Sequence, residues 1–430
     1  MDILYKIPDN WVWTTLEQIA DMTSGGTPSR TKKEYWNGNI NWLKSGELKD
    51  TYIHEVEEKI TEDGLKGSSA KIFPKDTLLM AMYGATVGRL GILNVDSSTN
   101  QAVCAIFNHH KLFVNEYLFF YLLSMRQKML KDSFGGAQPN LSQGYIKSID
   151  IPFAPLNEQK RIVAKIEKLF SNLDNSDKYL LHLEKQLKRY RQSVLKSAFE
   201  GELTKEWRNI NKFSYDDWKN QTILEIADKI FAGGDKPDKV SDTKTEEYPY
   251  PIYSNGLQDK GLYGYTNIYK VEEECITISA RGTIGFPLVR NERFVPIVRL
   301  IVVIPKDYIF SKYLKYYLES KIVVQSGSSI PQLTVPMVKQ IEILVPQLEE
   351  QQEIVNQIEK HFSIIDKLEN VVQKSINESK RLRQSILKQA FEGKLVEQDP
   401  NDESASILLE KIAKAKEEYL KAQKKQVRKK

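Results

Sequence analysis

Residues 156–203, LNEQKRIVAKIEKLFSNLDNSDKYLLHLEKQLKRYRQSVLKSAFEGEL, occur twice in this chain. A shift of 192 residues places them on residues 348–395 without a gap, and 23 of the 48 positions are identical. The identical positions cluster at the two ends, where both copies open with Leu-x-Glu-Gln and close with Ala-Phe-Glu-Gly followed by x-Leu. A long internal period indicates a repeated structural unit, and it therefore decides how the rest of the chain is interpreted.

Each copy is predicted to be one long helix with an apolar stripe. In the first copy, apolar residues recur at spacings of three and four from Ile162 to Val194, and only Ser176 interrupts them. A start just after Pro155 and a stop at Gly201 give a helix of roughly 60 Å. The second stripe is less regular, with Ser375 and Ser379 as interruptions; we assign to it Ile354, Ile358, Ile365, Leu368, Val372, Leu382 and Ile386.

A heptad stripe requires a partner helix, and the nearest partner for each copy is the other copy. We expect the two helices to pack antiparallel, because parallel helices would bring two similar flanking regions to the same end. The sequence therefore predicts an antiparallel coiled coil with an internal pseudo-twofold.

The regions before the two helices also resemble each other. Residues 218–228 are similar to residues 11–21, a Gly-Gly-x-x-Pro pattern recurs, and residues 327–334 align with residues 135–142 at the same shift of 192. The interiors of these two regions scarcely match, which indicates one scaffold carrying two different surfaces. We predict an α+β fold with globular blocks at residues 1–154 and 206–345, helical spacers at 155–205 and 346–397, and a tail at 398–430.

The pattern predicts three further local elements in these blocks and in the tail. Residues 146–152 are predicted to be the last strand of the first block, and residues 298–304 a strand of the second. Residues 405–423 are predicted to form a solvated helix that leads into a basic end.

Composition favours a cytoplasmic protein with no bound metal. The first ten residues do not resemble a signal peptide, and the longest apolar run, residues 297–304, is short and contains Arg299, so no membrane span is expected. Cys104 and Cys275 lie in apolar runs and are predicted to be buried thiols. The formal charge of +5 is uneven, because the last twenty residues carry a surplus of seven and residues 1–410 sum to −2. Any nucleic-acid surface must therefore be a local patch.

The loops between the predicted strands carry cations, amides and aromatic side chains of the types that contact DNA. Any one of them is equally consistent with a solvated loop, but as a set in repeated and differently filled loops they favour DNA contact. The candidates in the first block are Arg30, Lys32, Lys33, Tyr35, Trp36, Lys44, Arg89, Asn100 and Gln101. Those in the second block are Lys236, Ser254, Asn255, Arg281, Arg290 and Arg293.

No catalytic centre is apparent in the sequence. An amino-methyltransferase Asn/Asp-Pro-Pro-aromatic motif, a glycine fingerprint for an adenosyl cofactor and a GxxxxGK[ST] phosphate loop are all absent. Residues 237–244 imitate a nuclease carboxylate and lysine set, but they form a uniformly polar segment that is predicted to be a loop. We therefore predict a chain without catalytic residues or a metal site of its own.

Two variable blocks that alternate with two similar helices resemble the specificity subunit of type I restriction-modification systems. The closing motif Arg-Gln-Ser-[Val/Ile]-Leu-Lys-x-Ala-Phe-Glu-Gly, present twice, carries the resemblance; Gly-Gly-Thr-Pro and Pro-Asn-Leu-Ser support it. The resemblance implies that each block is a target-recognition domain for half of a split site in double-stranded DNA. It also implies that the helices set the spacing and dock two modification subunits.

The same resemblance implies that S-adenosylmethionine is bound by the modification subunits, and that restriction subunits use ATP and Mg²⁺. The repeated helix ends carry polar and aromatic residues that a coiled coil alone does not require. We predict docking of the modification subunits there, through Arg191, Gln192, Phe199, Arg383, Gln384 and Phe391. There are two alternative functions. The chain could be a coiled-coil scaffold whose blocks bind protein, or a fused DNA nuclease or methyltransferase.

Overall fold

The computed structural model describes residues 5–108, 110–133, 140–256, 258–280, 285–325 and 332–427. The first block consists of β1 (Val12–Thr15), α1 (Leu16–Ile19), β2 (Asp21–Ser24), β3 (Trp36–Leu43), β4 (Thr51–Ile53), β5 (Glu58–Ile60), α2 (Glu62–Lys66), β6 (Leu78–Ala81), β7 (Leu90–Leu93), β8 (Ser98–Thr99), β9 (Val103–Phe107), α3 (Asn115–Asp132), α4 (Gln143–Lys147) and β10 (Asp150–Phe153). The long helix α5 (Leu156–Phe199) follows.

The second block consists of α6 (Lys205–Asn211), β11 (Lys219–Thr222), α7 (Ile223–Ile226), β12 (Ala227–Ala232), β13 (Tyr250–Tyr253), β14 (Leu262–Thr266), β15 (Cys275–Ile278), β16 (Pro287–Arg290), β17 (Val295–Pro296), β18 (Ile301–Pro305), α8 (Ser311–Gln325), α9 (Val335–Lys339) and β19 (Glu342–Val345). The second long helix is α10 (Leu348–Phe391), and the chain continues into α11 (Ala405–Val427). Helices α5 and α10 have the same length, 44 residues.

The chain divides into two compact units, and both long helices contribute to each. The first unit contains residues Met1–Lys178 and Ile376–Lys430, and the second contains Tyr179–Ser375. Each unit thus holds one block, part of α5 and part of α10.

In the first unit, a five-stranded sheet has the order β2-β9-β6-β7-β4, a three-stranded sheet has the order β5-β3-β8, and β1 pairs with β10. Alternate residues of β6 face different apolar clusters: Met80 lies in the cluster that includes α3, and Leu79 lies in a smaller cluster with Leu43. Because both of its faces are covered, β6 is a continuous apolar run rather than an alternating one.

The second unit repeats this topology. A four-stranded sheet has the order β12-β18-β15-β16, a three-stranded sheet has the order β14-β13-β17, and β11 pairs with β19. In both units the middle strand of the three-stranded sheet has a parallel short neighbour, β8 beside β3 and β17 beside β13. The predicted repetition of the blocks is confirmed by this order of strands.

Within each unit the two long helices pack together and run in opposite directions. In the first unit Arg383 of α10 contacts Asp174 at 2.8 Å and Asp177 at 2.9 Å in α5. In the second unit Arg191 of α5 contacts Glu369 of α10 at 3.4 Å. Arg383 and Arg191 both lie near the C-terminal ends of their helices, and each contacts a residue in the first half of the other helix. This reciprocal pattern requires antiparallel helices, as predicted.

The apolar stripe of α10 differs from the predicted one. Ile365 and Val372 are buried as expected, but Leu368 and Leu382 are exposed, whereas Ser379 is buried. The prediction was wrong for these three residues. The residue after each leucine, Glu369 or Arg383, is half-buried and faces α5 instead. In α5 the predicted stripe is buried or half-buried except at the exposed Tyr190.

The shared Glu-Gln pair fixes each block to the start of its long helix. In the first unit the buried Glu158 carboxylate accepts hydrogen bonds from Trp11 Nε1 at 2.9 Å and from Gln398, and Gln159 accepts one from the Val114 backbone at 2.9 Å. Burial raises the pKa of Glu158, since its two hydrogen-bond donors carry no charge.

In the second unit a buried cation joins the equivalent site. The Glu350 carboxylate accepts hydrogen bonds from Trp218 Nε1 at 3.0 Å, from Arg208 at 2.7 Å and from the Thr204 hydroxyl at 2.9 Å. The helix ends also match: Gly201 and Gly393 both have positive φ, 78° and 70°, and end α5 and α10 as a glycine does at this position.

The C-terminal helix α11 packs on the first block, so the predicted solvated helix is wrong for its first half. Ala405, Leu408 and Ile412 are buried in the core of that block. Lys416 donates to the carbonyl of Ala20 at 3.1 Å and contacts Asp21 at 3.2 Å. Apolar residues at spacings of three and four give α11 one buried face, although most of its other residues are charged.

Two segments predicted as strands contain other structure. Residues 146–152 begin in α4, and only the segment from Asp150 is extended. In residues 298–304, Val298 and Arg299 have positive φ, and β18 begins at Ile301.

Both cysteines are free and buried, as predicted, and burial raises the pKa of each thiol to about 12. In the part of the chain that the structure describes, no helix is long and apolar enough to cross a membrane. No group of three or more potential metal ligands occurs among the same residues.

Candidate nucleic-acid interface

Consecutive glycines after β2 and after β12 bring a loop against the end of a short parallel strand. Gly26 donates its backbone N–H to the Thr99 carbonyl at 2.9 Å, and a Cβ on Gly25 would lie 2.1 Å from the same oxygen. In the second block a Cβ on Gly233 would lie 2.6 Å from the carbonyl carbon of Pro296. The first glycine of each pair is therefore required by a close backbone approach that admits no side chain.

Arg30 and Lys44 share one carboxylate partner in the first block. Glu58 lies 2.6 Å from Arg30 and 2.9 Å from Lys44, and Glu57 lies 3.5 Å from Lys44. The hydrogen bond from Arg30, with that from Lys44, lowers the pKa of Glu58. The charges of these two cations and two carboxylates cancel. The surface that they form therefore offers hydrogen-bond donors in fixed positions rather than a strong positive potential.

The aromatic candidates beside this face support the loop that carries them. The Arg30 guanidinium lies 3.6 Å from the ring centroid of Trp36, and Lys32 donates to the Tyr35 hydroxyl at 2.9 Å. Tyr35 and Trp36 are half-buried, whereas Lys33 is exposed. The two rings therefore pack against the cations of their own loop. Lys33 is exposed and could contact DNA.

Asn100 and Gln101 form the turn between β8 and β9. The parallel register of β3 and β8 places Lys44 level with Asn100. Gln101 is exposed and accepts a hydrogen bond from the Thr27 hydroxyl. The Asn100 Oδ1 atom is buried and has no hydrogen-bond partner among the described residues. The structure brings these candidates together, whereas Arg89 lies exposed in the separate β6–β7 turn.

In the second block, Lys236 is exposed but the two polar residues after β13 are already bonded. The Asn255 side chain donates to the Val298 carbonyl at 2.6 Å and accepts from the Ala280 N–H at 2.7 Å. Ser254 Oγ lies 3.4 Å from the Gly261 carbonyl, to which it donates. The prediction that Asn255 contacts a base directly is not supported, because its amide joins two loops instead.

Arg290 is buried and belongs to the core of the block. Its Nε donates to the Thr277 hydroxyl at 3.2 Å, and its guanidinium lies 3.5 Å from the ring centroid of Tyr253. Burial lowers the pKa of Arg290. Direct DNA contact through Arg290 is not supported, since its side chain is buried and bonded within the block.

Of the other predicted cations, Arg293 is exposed and pairs with Glu272 at 3.2 Å, and Arg281 lies outside the described residues. Arg299, which is not among the predicted contacts, is exposed and has no acidic partner in the described parts of the chain. Its sequence signal is a charged residue that interrupts an apolar run just after Pro296, a run that the pattern predicts to be a single strand.

The aromatic residues predicted for subunit docking are internal. Phe199 is buried with its ring centroid 5.0 Å from that of Tyr317, and Phe391 is buried with its centroid 5.0 Å from that of Tyr121. Direct contact of Phe199 and Phe391 with another subunit is therefore not supported, because each ring is buried inside its own unit.

The predicted docking arginines are also engaged across the coiled coil. Arg191 and Arg383 occupy equivalent positions; each contacts two carboxylates of the facing helix and lies over a phenylalanine ring of it, 4.3 Å from Phe362 and 5.2 Å from Phe170. Gln192 is half-buried and Gln384 is exposed. Docking through these glutamines stays a prediction.

One known family of protein domains matches both blocks. A family model described as a type I restriction modification DNA specificity domain matches residues 8–185 and again residues 215–378. The chain belongs to this DNA specificity family. The two matches cover the two blocks together with adjoining parts of both long helices.

Curated relatives of the specificity family cover the chain in part. A putative type I specificity subunit of Mycoplasma pneumoniae is 28% identical over 243 residues, 56% of this chain and 63% of the relative. The MjaIX specificity subunit of Methanocaldococcus jannaschii is 32% identical over 185 residues, 42% of each chain. The alignments therefore span less than two thirds of these two relatives.

Solved structures of the family support the fold over nearly the whole chain. A chain from a study of complex assembly and conformational transition in a type I restriction-modification system has a TM-score of 0.76 at 23% identity, covering 91% of this chain and all of that one. The HsdS subunit from Thermoanaerobacter tengcongensis has a TM-score of 0.58 at 21% identity, with coverage of 91% and 99%.

Reversing the charge of Arg383 should destabilise the coiled coil of this specificity-family chain. Arg383→Glu would place a third carboxylate beside Asp174 and Asp177, and we expect the free energy of unfolding of the first unit to fall by about 1–2 kcal/mol. Combining it with Asp177→Arg should restore most of the loss. Hydrogen exchange of α5 and α10 measures both effects.

Arg381→Glu, at an exposed position of the same helix, is the matched control and should change the exchange rates little. If Arg383→Glu behaved like Arg381→Glu but blocked binding of another subunit, Arg383 would be a docking residue rather than part of the coiled coil.

Proposed function

We propose that this chain is the DNA-specificity subunit of a type I restriction-modification complex. Each block recognises one half of a bipartite site in double-stranded DNA, and the two long helices set the distance between the halves. The observation that carries the proposal is the match of one DNA specificity domain to both blocks, residues 8–185 and 215–378. The different residues at equivalent turns of the two blocks fit recognition of two different half-sites.

The chemistry of such a complex is assigned to its other subunits. Two modification subunits dock near the repeated helix ends, where Gln192 and Gln384 lie at equivalent positions, and they methylate adenine with S-adenosylmethionine. Restriction subunits join in turn and use ATP and Mg²⁺. The names of the curated relatives, which are specificity subunits of type I restriction enzymes, support this assignment.

The charge distribution implies that the chain alone binds DNA weakly. Residues 1–410 carry a net charge of −2, and several cations of the candidate face are already paired with carboxylates. A surface that neutralises few phosphates has modest and salt-sensitive affinity. We therefore propose that the modification subunits contribute much of the contact with the DNA backbone.

Inserting one heptad into each long helix tests the proposal. The chain, co-expressed with its modification subunit, should direct methylation to a bipartite motif that sequencing of modified adenines reveals. The paired insertions, placed at equivalent positions near the middle of α5 and α10, should lengthen the spacer by several base pairs and leave both half-sites unchanged. A heptad adds about 10 Å to each helix.

The purified chain without partners is the control and should transfer no methyl group when given S-adenosylmethionine, ATP and Mg²⁺. Absence of a bipartite motif in cells with the wild-type chain would contradict the proposed function. Insertions that altered the half-sites themselves would contradict the role of the helices in spacing.

A further inference from the structure

One turn occupies the same place in both blocks and carries different residues in each. In the first block it is formed by Asn100 and Gln101, between β8 and β9. In the second it is formed by Val298 and Arg299, between β17 and β18. Each turn follows a short strand, β8 or β17, that pairs in parallel with the middle strand of the three-stranded sheet. Each turn precedes an interior strand of the larger sheet, β9 or β18.

The second of these turns is strained. Val298 and Arg299 have φ values of 53° and 62°, in the left-handed region that β-branched residues strongly disfavour. Such backbone persists only where surrounding contacts enforce it, and it concentrates at functional sites. Valine and arginine thus occupy positions where glycine or asparagine would relieve the strain.

Three groups hold the strained turn. Val298 donates its N–H to the Gly234 carbonyl at 2.9 Å, and Arg299 donates its N–H to the Gly233 carbonyl at 3.0 Å. The Asn255 side chain donates to the Val298 carbonyl and accepts from the N–H of Ala280, at the end of β15. Asn255 therefore fixes the turn relative to the neighbouring loop.

The held turn presents its side chains to solvent. Val298 is 52% exposed, and Arg299 is exposed without an acidic partner among the described residues. Lys270 Nζ lies 3.8 Å from the place where a Cβ of Gly234 would stand, and Lys236, two residues after Gly234, is exposed. An exposed arginine on a held backbone, with a lysine amine beside the glycine loop that holds it, suits a groove of duplex DNA, in which phosphates surround the base edges.

We infer that the β17–β18 turn is a specificity-determining element of the second block, with Arg299 contacting a base edge and Asn255 acting as the positioning residue. This inference rests on the proposed function. Arginine pairs preferentially with the O6 and N7 atoms of guanine. The equivalent β8–β9 turn, through Gln101, has the same role in the first block, where an amide suits adenine.

Methylation mapping in cells tests the inference with two variants that serve as controls for each other. Arg299→Ala, co-expressed with the modification subunit, should relax one base position of one half-motif by about tenfold or more. Gln101→Ala should relax the other half-motif. Lys229→Ala removes an exposed lysine of the same block that pairs with Glu273 at 2.8 Å, and it should leave the motif unchanged.

The role of Asn255 is tested in the same assay. Asn255→Ala should relax the position that Arg299→Ala relaxes, and adding it to Arg299→Ala should relax the motif no further, because both changes remove one contact. A purely structural role would lower methylation at every site and leave the motif intact.

The outcomes separate the inference from the proposed function. If the wild-type chain directs a bipartite motif but Arg299→Ala leaves it unchanged, or lowers methylation uniformly as loss of a phosphate contact would, the inference is overturned. If the wild-type chain directs no bipartite motif, the proposed function itself fails.

Discussion

Glu350→Gln is expected to lower the free energy of unfolding of the second unit by about 3 kcal/mol. The three groups that bond to this carboxylate are all donors in the structure: Arg208, Trp218 and the Thr204 hydroxyl. An amide at this position would direct its NH2 group at Arg208 or Trp218, neither of which can accept. The change would also leave a buried guanidinium without its counter-charge.

Glu158→Gln in the first unit is the matched control and should change stability by less than about 1 kcal/mol. Its partners are Trp11, which can donate to the amide oxygen, and Gln398, whose own amide can turn to accept. The two carboxylates lie at equivalent helix starts, so the contrast isolates the effect of the buried cation.

Glu158→Gln should also differ from wild type in the pH dependence of stability. The folded-state pKa of Glu158 is raised above its ordinary value of 4.5. The native state thus binds more protons than the unfolded chain between these two pKa values, and stability from this group is lost as pH rises through the raised pKa. Glu158→Gln should remove that loss.

Hydrogen exchange of backbone amides, resolved by unit, measures each effect, since a chain with two units need not unfold in one step. Equal effects of Glu350→Gln and Glu158→Gln would show that the Arg208 pair contributes nothing particular to the second unit.

Phe391→Ala should destabilise the first unit by about 3–5 kcal/mol. Phe391 is 2% exposed and meets Tyr117 and Tyr121 edge to face, with ring centroids 5.3 and 5.0 Å away. Removing the ring leaves a cavity where α3 and α10 meet. Phe391→Leu, which retains most of the volume, should lose less than half as much.

Urea unfolding followed by exchange of α3 amides measures the loss, and Gln384→Ala, at an exposed position of the same helix, should show none. The equivalent Phe199→Ala should destabilise the second unit in the same way. A variant that kept full stability but no longer bound the modification subunit would restore the original interpretation of these rings as docking residues.

The sequence by itself determined the architecture, because the repeat is a property of order along the chain. The 192-residue shift predicted two equal helices, and their closing glycines end them as expected, at Gly201 and Gly393. Antiparallel pairing followed from the repeat, and the family resemblance followed from the same motifs. These features depend on local patterns that need no knowledge of distant contacts.

Tertiary structure decided which side chains are available at the surface. Arg290 and Arg299 look alike in the sequence, yet one is enclosed by a tyrosine ring and a threonine hydroxyl, and the other stands exposed on a strained turn. Asn255, predicted to contact a base, instead joins the Val298 carbonyl to the Ala280 N–H. Residue type sets what a side chain can bond, whereas pairing of distant strands sets whether its partner is the protein or solvent.

The same distinction explains the helices and the tail. Leu368 and Glu369 are neighbours, and a helical period places either of them near the seam; only the facing helix, with Arg191 opposite Glu369, selects the charged one. Likewise α11 has a modest apolar stripe, and the first block supplies the surface that buries it. Burial is a property of two surfaces together, and the sequence of one segment specifies only its own.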